Sequence, residues 1–308
     1  MNQSGRVKTT QVLVVMFASF NADAQPLGAG LSEAEAKMFT VSDGYETYMG
    51  RWSRLVTPAY LAFAGVTDGD RVLDVGTGTG ALASEVEARL PSSEVVGIDP
   101  SEAFIDYARR NAKSPRVRFE VGDAQALKFG DASFDQTMSL LVMNFIPDHV
   151  KAIGEMRRVT RRGGVVSACV WDYGAGMQSL RFFWDEVVAL DPAAAPKDER
   201  NMKLSREGQL GALWKRAGLV RIQETPLEIE QRFTSFDDYW GPFLKGTGPG
   251  GAYVASLPEA SRKKLEARLR TCLLGDRPDG AFTLKARVWC VRGQVPGASV
   301  DGTRQRHR

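Results

Sequence analysis

The stretch Arg71-Val72-Leu73-Asp74-Val75-Gly76-Thr77-Gly78-Thr79-Gly80-Ala81-Leu82 decides the fold of this chain. Its first five residues form a short apolar run that reads as a buried strand. Leu82, Val86 and Leu90 then recur at helical spacing until Pro91. Between strand and helix lies a loop with glycine at every second position. Glycine lets the backbone turn sharply there and approach a ligand with no side chain in the way. The spacing is GxGxG, where dinucleotide-binding loops usually show GxGxxG. Asp74, two positions before the first glycine, would repel a pyrophosphate but suits a ligand carrying an ammonium or sulfonium group.

Outward from this loop, short apolar runs alternate with helix-period segments, the signature of a parallel α/β sheet. Residues 94–99 read as a second strand, and Pro100-Ser101 opens a helix carrying Phe104, Ile105 and Ala108. Residues 117–121 give a third strand, 134–142 a fourth, and 148–159 a helix; Gly163-Gly164 then turns the chain into a fifth strand over 165–171. The pattern loosens afterwards. Helices are predicted over 178–190 and 206–217, a strand from Leu219, helical and aromatic-rich sequence over 236–274, and a last strand over 282–291. These elements predict one doubly wound α/β domain with helical insertions that supply a lid.

Two further acids extend the loop into a constellation. Asp99 ends the second strand, about 20 residues past the glycines, where a carboxylate accepts hydrogen bonds from ribose hydroxyls. Asp123, in Gly122-Asp123-Ala124, ends the third strand. A carboxylate there would accept from an exocyclic amine while the next backbone N–H donates to a ring nitrogen. Open α/β sheets bind ligands at the carboxyl ends of their strands, where all three acids fall.

Composition narrows the classes. Of 308 residues, 43% are hydrophobic and 25% charged, which fits a globular chain rather than a disordered or fibrous one. Forty basic and 37 acidic side chains leave +3, so no nucleic-acid partner is expected. Cys169, Cys272 and Cys290 form no CxxC pair, and His149 and His307 are the only histidines, so no metal site is expected. An unpaired cysteine count fits a reducing cytoplasm. At the N-terminus, Arg6 and Lys8 precede an apolar run over residues 12–20, and Ala22-Asp23-Ala24 resembles a signal-peptidase site. That run is shorter than the ~20 residues needed to span a bilayer, so no stable membrane insertion is expected. Residues 1–37 are expected to be a leader, disordered or signal-like, with Met38 as an alternative start; 38–293 the domain, with its core at 66–172 and lid and last strands at 173–293; and 294–308 a flexible tail.

The residues Asp74 to Gly80, Asp99-Pro100-Ser101 and Gly122-Asp123-Ala124 resemble the ligand-binding motifs of class I S-adenosylmethionine-dependent methyltransferases. Phe134-Asp135 and Arg162-Gly163-Gly164 fit the same pattern. Within that class the chain is most similar to the methyltransferase type 11 group, which includes the ubiquinone/menaquinone-biosynthesis enzymes. The resemblance implies a doubly wound, seven-stranded Rossmann-like methyltransferase sheet whose last strand is antiparallel, here residues 282–291 with 219–226 beside it. It implies S-adenosyl-L-methionine as cofactor. Gly76, Gly78 and Gly80 would meet its methionine part and Asp74 its ammonium. Asp99 would meet the ribose, Pro100 or Ser101 the adenine face, and Asp123 and Ala124 the adenine edge. Ser139 and Leu140 would reach it through their backbone. Tyr48 and Arg51, ahead of the first strand, are candidate lid contacts.

Methyl transfer is an in-line displacement, so the protein mainly positions the acceptor and excludes water. Asn144, Trp171, Asp172 and Tyr173 fall at the carboxyl ends of the fourth and fifth strands, and His149 starts a helix at the same edge. These are the catalytic candidates, with a first-turn surface role as the alternative for His149 and core packing for Trp171. Asn144-Phe145-Ile146-Pro147 differs from the Asn-Pro-Pro-Tyr pattern of enzymes that methylate amide or nucleobase nitrogens. The expected acceptor is a small organic molecule. Two other readings stay open: an NAD-type oxidoreductase and a catalytically silent cofactor binder.

Overall fold

In the computed structural model, residues 46–246 and 248–297 are described. The expected leader, Met38 and the segment up to Tyr45 lie outside the described residues, as do residues 298–308 of the expected tail. The strands are β1 (Arg71–Val75), β2 (Glu94–Asp99), β3 (Val117–Val121), β4 (Phe134–Leu140), β5 (Thr160–Trp171), β6 (Val220–Phe233) and β7 (Phe282–Gln294). They form one seven-stranded sheet in the order β3-β2-β1-β4-β5-β7-β6. β1 to β5 pair in parallel, while β7 runs antiparallel to both β5 and β6. The strand order reverses between β1 and β4, which makes their carboxyl ends the natural ligand crevice.

Helices cover both faces. A π-helical turn, Glu46–Gly50, leads into α1 (Arg51–Ala64), and α2 (Ala81–Arg89) and α3 (Glu102–Asn111) follow β1 and β2. α4 (His149–Val159) precedes β5, and α5 (Gln178–Leu190), α6 (Gln209–Arg216), α7 (Phe236–Leu244), α8 (Gly248–Ser256) and α9 (Glu259–Leu274) come after it. One apolar cluster joins α1, α2 and α3 to α5, α7, α8 and α9; the other packs α4 and α6 on the opposite face. Among the described residues no helix is long and apolar enough to cross a membrane.

The structure redraws three boundaries. β5 starts at Thr160, not Val165, because Thr160 pairs with Phe134 before the register shifts to Gln136 opposite Val165. Gly164 lies in that irregularity, where a Cβ would stand 2.6 Å from the Asp135 carbonyl oxygen. β6 continues past Pro226 to Phe233, which an edge strand tolerates because proline there forfeits only an outward N–H. β7 runs on to Gln294, and the Val295 N–H donates to the Gly164 carbonyl, so the sheet edge takes in residues assigned above to the tail. Cys169 and Cys290, 121 positions apart, face each other across β5 and β7 with sulfurs 2.7 Å apart.

The strands beneath the glycine loop admit no extra atoms. A Cβ at Gly97, opposite Asp74 in β2, would lie 2.7 Å from both a Phe119 ring carbon and Thr77 Oγ1. Gly97→Ala is expected to cost about 1–3 kcal/mol through overpacking. Urea denaturation measures it, and an unchanged midpoint would contradict the packing described.

Candidate functional site

A cavity of about 580 Å³ opens at the carboxyl ends of β1 to β5, within the ~300–1,000 Å³ typical of small-molecule sites. Its floor is the glycine loop. Asp74 stands in the central strand between β2 and β4 and is wholly buried. Thr77 Oγ1 donates to its Oδ2 at 2.7 Å, while Oδ1 is buried with no hydrogen-bond partner among the described residues. Burial pushes the Asp74 carboxyl up to about 7; the Thr77 hydroxyl and, more weakly, the nearby Ala83 N–H pull the other way, and the neighbouring Asp99 adds to the rise.

Asp99 closes the loop from the next strand. Its Oδ2 accepts from the Gly78 N–H at 3.0 Å and its Oδ1 from the Ser101 N–H at 2.9 Å. Burial raises this carboxyl to about 6 against those two backbone donors. Each oxygen keeps a second lone pair for a ligand hydroxyl. The glycines divide their work. Gly78 (φ +54°) has nothing within 4 Å of where a Cβ would be, so its backbone faces open space. Gly76 also lines the cavity, but a Cβ there would strike Val142 at 2.4 Å. Gly80 does not line the cavity, unlike its neighbours Thr79 and Ala81: it caps α2 and packs on Phe119, 3.2 Å from where a Cβ would be.

Pro100, Ser101, Asp123 and Ala124 all line the cavity. The Ser101 hydroxyl caps α3 by accepting from Phe104 N. Asp123 Oδ1 accepts from the Gln125 N–H at 2.8 Å, an Asx turn that leaves the exposed carboxylate pinned at its base. Leu140 is on the wall; Ser139 is not. Successive strand residues point to opposite faces, and the Ser139 carbonyl already accepts from the buried Tyr60 hydroxyl at 3.4 Å.

The lid and acceptor candidates separate in the same way. Tyr48, Trp171 and Tyr173 line the cavity, and the buried Tyr48 hydroxyl has no partner. Arg51 does not reach it. Its guanidinium donates to Asp238 Oδ1 at 2.8 Å and stacks 4.2 Å from the Trp52 ring, latching α7 onto α1. Asp172 is buried, and its Oδ2 accepts from Arg287 of β7 at 2.6 and 2.8 Å, an ion pair that ties the end of β5 to β7. Asn144 turns to Met202, donating to its sulfur at 3.2 Å. His149 begins α4 off the cavity wall, its basicity lowered by burial and by Lys203 against the opposing Asp148. Phe236, Tyr239, Trp240 and Phe243 are buried against one another as a packing stripe.

Sequence reasoning missed several wall residues. Leu141, Val142, Phe145, Ile146 and Pro147 carry the chain over the cavity after β4, and Leu141 holds a left-handed backbone (φ 64°) with its N–H on the Cys169 carbonyl. A non-glycine residue at positive φ beside a cavity often marks a site, but sequence gives no sign of it. Glu199, in a 3₁₀ turn Glu199–Asn201 between α5 and α6, also lines the cavity and is buried. Its neighbours in sequence have no period that would have flagged it.

A family model described as a methyltransferase domain matches residues 72–164. Over 96 residues the chain is 43% identical to a demethylmenaquinone methyltransferase of Deinococcus radiodurans, covering 30% of this chain and 40% of that protein. Over 122 residues it is 36% identical to the ubiquinone/menaquinone biosynthesis C-methyltransferase UbiE of a Geobacter species, covering 38% and 50%. The chain thus spans half or less of the length of these curated relatives. Among solved structures, YcgJ of Bacillus subtilis superposes with a TM-score of 0.51 at 20% identity, over 79% of this chain and 99% of that one. Phosphoethanolamine N-methyltransferase 2 of Haemonchus contortus, bound to S-adenosyl-L-methionine, gives 0.53 at 19% identity over 83% and 58%. These two similarities speak for the fold. Residues 72–164 are thus similar to a methyltransferase domain, and the sheet order above agrees with that fold.

Proposed function

We propose that this protein binds S-adenosyl-L-methionine in the cavity and transfers its methyl group to a small organic acceptor. One observation carries the reading: a buried carboxylate oxygen with no hydrogen-bond partner among the described residues, Asp74 Oδ1, belongs to a residue on the cavity wall, where the Gly78 backbone faces open space. An unpaired buried acceptor is costly unless a ligand satisfies it, and the ammonium of a methionine moiety does so. A pyrophosphate would be repelled there, which disfavours the oxidoreductase reading. The named activities of the Deinococcus and Geobacter relatives support the same conclusion.

The cofactor supplies an electrophilic methyl group on a sulfonium. The protein's own residues do the holding. Asp74 accepts from the ammonium, Gly76 and Gly78 bring the backbone close, and the free lone pairs of Asp99 accept from ribose hydroxyls. Asp123 and the Ala124 N–H read the adenine edge, with Pro100 against its face. Tyr48 and the α7–α8 lid exclude water. A reducing cytoplasm is the proposed setting, consistent with Cys169 and Cys290 as buried free thiols.

Two measurements test these roles. Asp99→Ala removes charge-assisted acceptors worth ~1.5–3 kcal/mol, so the dissociation constant of S-adenosylhomocysteine should rise about 10- to 150-fold by calorimetry. Unchanged affinity would dismiss the ribose assignment. The second uses pH. Asp74 (about 7) and Asp99 (about 6) are raised above their unfolded values, so between roughly pH 4 and 7 these two groups bind more protons in the ligand-free native state than in the unfolded chain. Their contribution to stability therefore falls as pH rises through that window. Asp74→Asn should flatten the fall, measured by urea denaturation at about pH 5.5 and 8; parallel slopes would speak against a neutral buried Asp74.

A further inference from the structure

The ionisable side chains on the cavity wall are Asp74, Asp99, Glu102, Asp123, Glu199 and two tyrosines; among the described residues no lysine, arginine or histidine lines it. The three aspartates sit at the ends of β1, β2 and β3, and Glu102 begins α3 beside them. Glu199 stands apart. It comes from the α5–α6 connection and joins a wall of Tyr48, Trp171, Tyr173, Leu180 and Pro249, otherwise aromatic and apolar. Only 5% of Glu199 is exposed. Trp184 Nε1 donates to its Oε2 at 2.7 Å, and no described residue hydrogen-bonds its Oε1. The Tyr48 hydroxyl, close enough to feel the Glu199 charge, is buried and has no hydrogen-bond partner among the described residues.

Among the described residues no cation pairs with this carboxylate directly. Arg181, on α5, lowers its proton affinity from a distance, but that guanidinium is gripped by Asp198 at 2.6 and 3.2 Å. Burial dominates and pushes Glu199 up to about 7, with Asp198 adding to the rise. A desolvated carboxylate on the cavity wall, with one oxygen held by Trp184 and no described residue bonded to the other, is arranged to accept a hydrogen bond from a ligand. Its proton affinity suits a base acting near neutral pH.

We propose that Glu199 receives the methyl acceptor. The site takes an uncharged or cationic small molecule whose nucleophile is an N–H or O–H group, and it rejects carboxylates and phosphates. This inference rests on the methyltransferase reading. As the acceptor's lone pair bonds the methyl carbon, the carbon–sulfur bond breaks with its electron pair left on sulfur. The acceptor's proton passes to Glu199 Oε1, leaving a neutral carboxylic acid. Acids without a compensating cation make the wall hostile to an anionic acceptor.

The test is a calorimetric titration of three probes of matched size, 4-ethylphenol, phenethylamine and phenylacetate, with and without S-adenosylhomocysteine. Wild type should bind the phenol and the amine but not the carboxylate. Glu199→Gln keeps the shape and an acceptor for Trp184, and it should weaken both protic probes at least ~10-fold by loss of a charge-assisted bond. The ratio of wild-type to E199Q affinity should fall toward one below about pH 7, since Asp74 and Asp99 titrate in both proteins and cancel in the ratio; a purely structural role beside Trp184 would not produce this convergence. Arg181, Asp198, Tyr48 and Tyr173 are unchanged in both proteins, so the difference isolates Glu199. Phenylacetate binding as tightly as the protic probes, an unaltered E199Q, or failure of both protic probes to bind wild type would overturn the proposal. Absence of S-adenosylhomocysteine binding would instead defeat the methyltransferase reading, leaving the probe titrations without it to judge Glu199.

Discussion

The Asp99 carboxylate ties the cavity together. By accepting from the Gly78 N–H with one oxygen and the Ser101 N–H with the other, it fixes the glycine loop after β1 to the first turn of α3 after β2. The loop is held from the other side by the N–H groups of Gly76 and Thr77, both on the Ile98 carbonyl at 2.8 Å. Gly97, opposite Asp74, leaves room for Thr77 and Phe119 to close beneath. A ligand therefore meets a floor whose backbone is already organised, which lowers the ordering cost of binding.

That organisation carries an electrostatic cost when no ligand is present. Asp74, Asp99 and Glu199 are all buried on one cavity and all have carboxyls raised toward neutrality, chiefly by desolvation. Burial of this kind disfavours the charged form, and a cation or hydroxyl donor restores it. Two of the acids lie at the floor and the third at the lid wall. The same physics acts at both ends: burial holds a carboxyl's proton affinity near neutral pH on the cavity wall.

The sheet and the floor were legible because their signals are local. Strand, glycine loop and helix follow within a dozen residues, and Asp99 and Asp123 close strands whose apolar runs are unmistakable. Parity within a strand was harder: Ser139 and Leu140 are neighbours, yet only Leu140 lines the cavity. Long-range pairing was invisible. The position of Arg51 suggested a cavity contact, but it is claimed by Asp238, 187 positions later, and Asp172 by Arg287, 115 positions later. Glu199 escaped for a different reason. It sits in a 3₁₀ turn with no helical or strand period, and only the packing of α5 and the π-helical turn brings Trp184 and Tyr48 to it.

The most direct measurement is the number of protons exchanged when S-adenosylhomocysteine binds, obtained by calorimetry at about pH 6.5 in buffers of different ionisation enthalpy. If buried Asp74 and Asp99 are partly protonated in the free protein and ionise against the ligand's ammonium and hydroxyls, binding releases protons, and Asp74→Asn reduces the release. Binding with no proton release, or with release unaltered in that variant, would contradict a cavity built on neutral acids awaiting a cationic ligand.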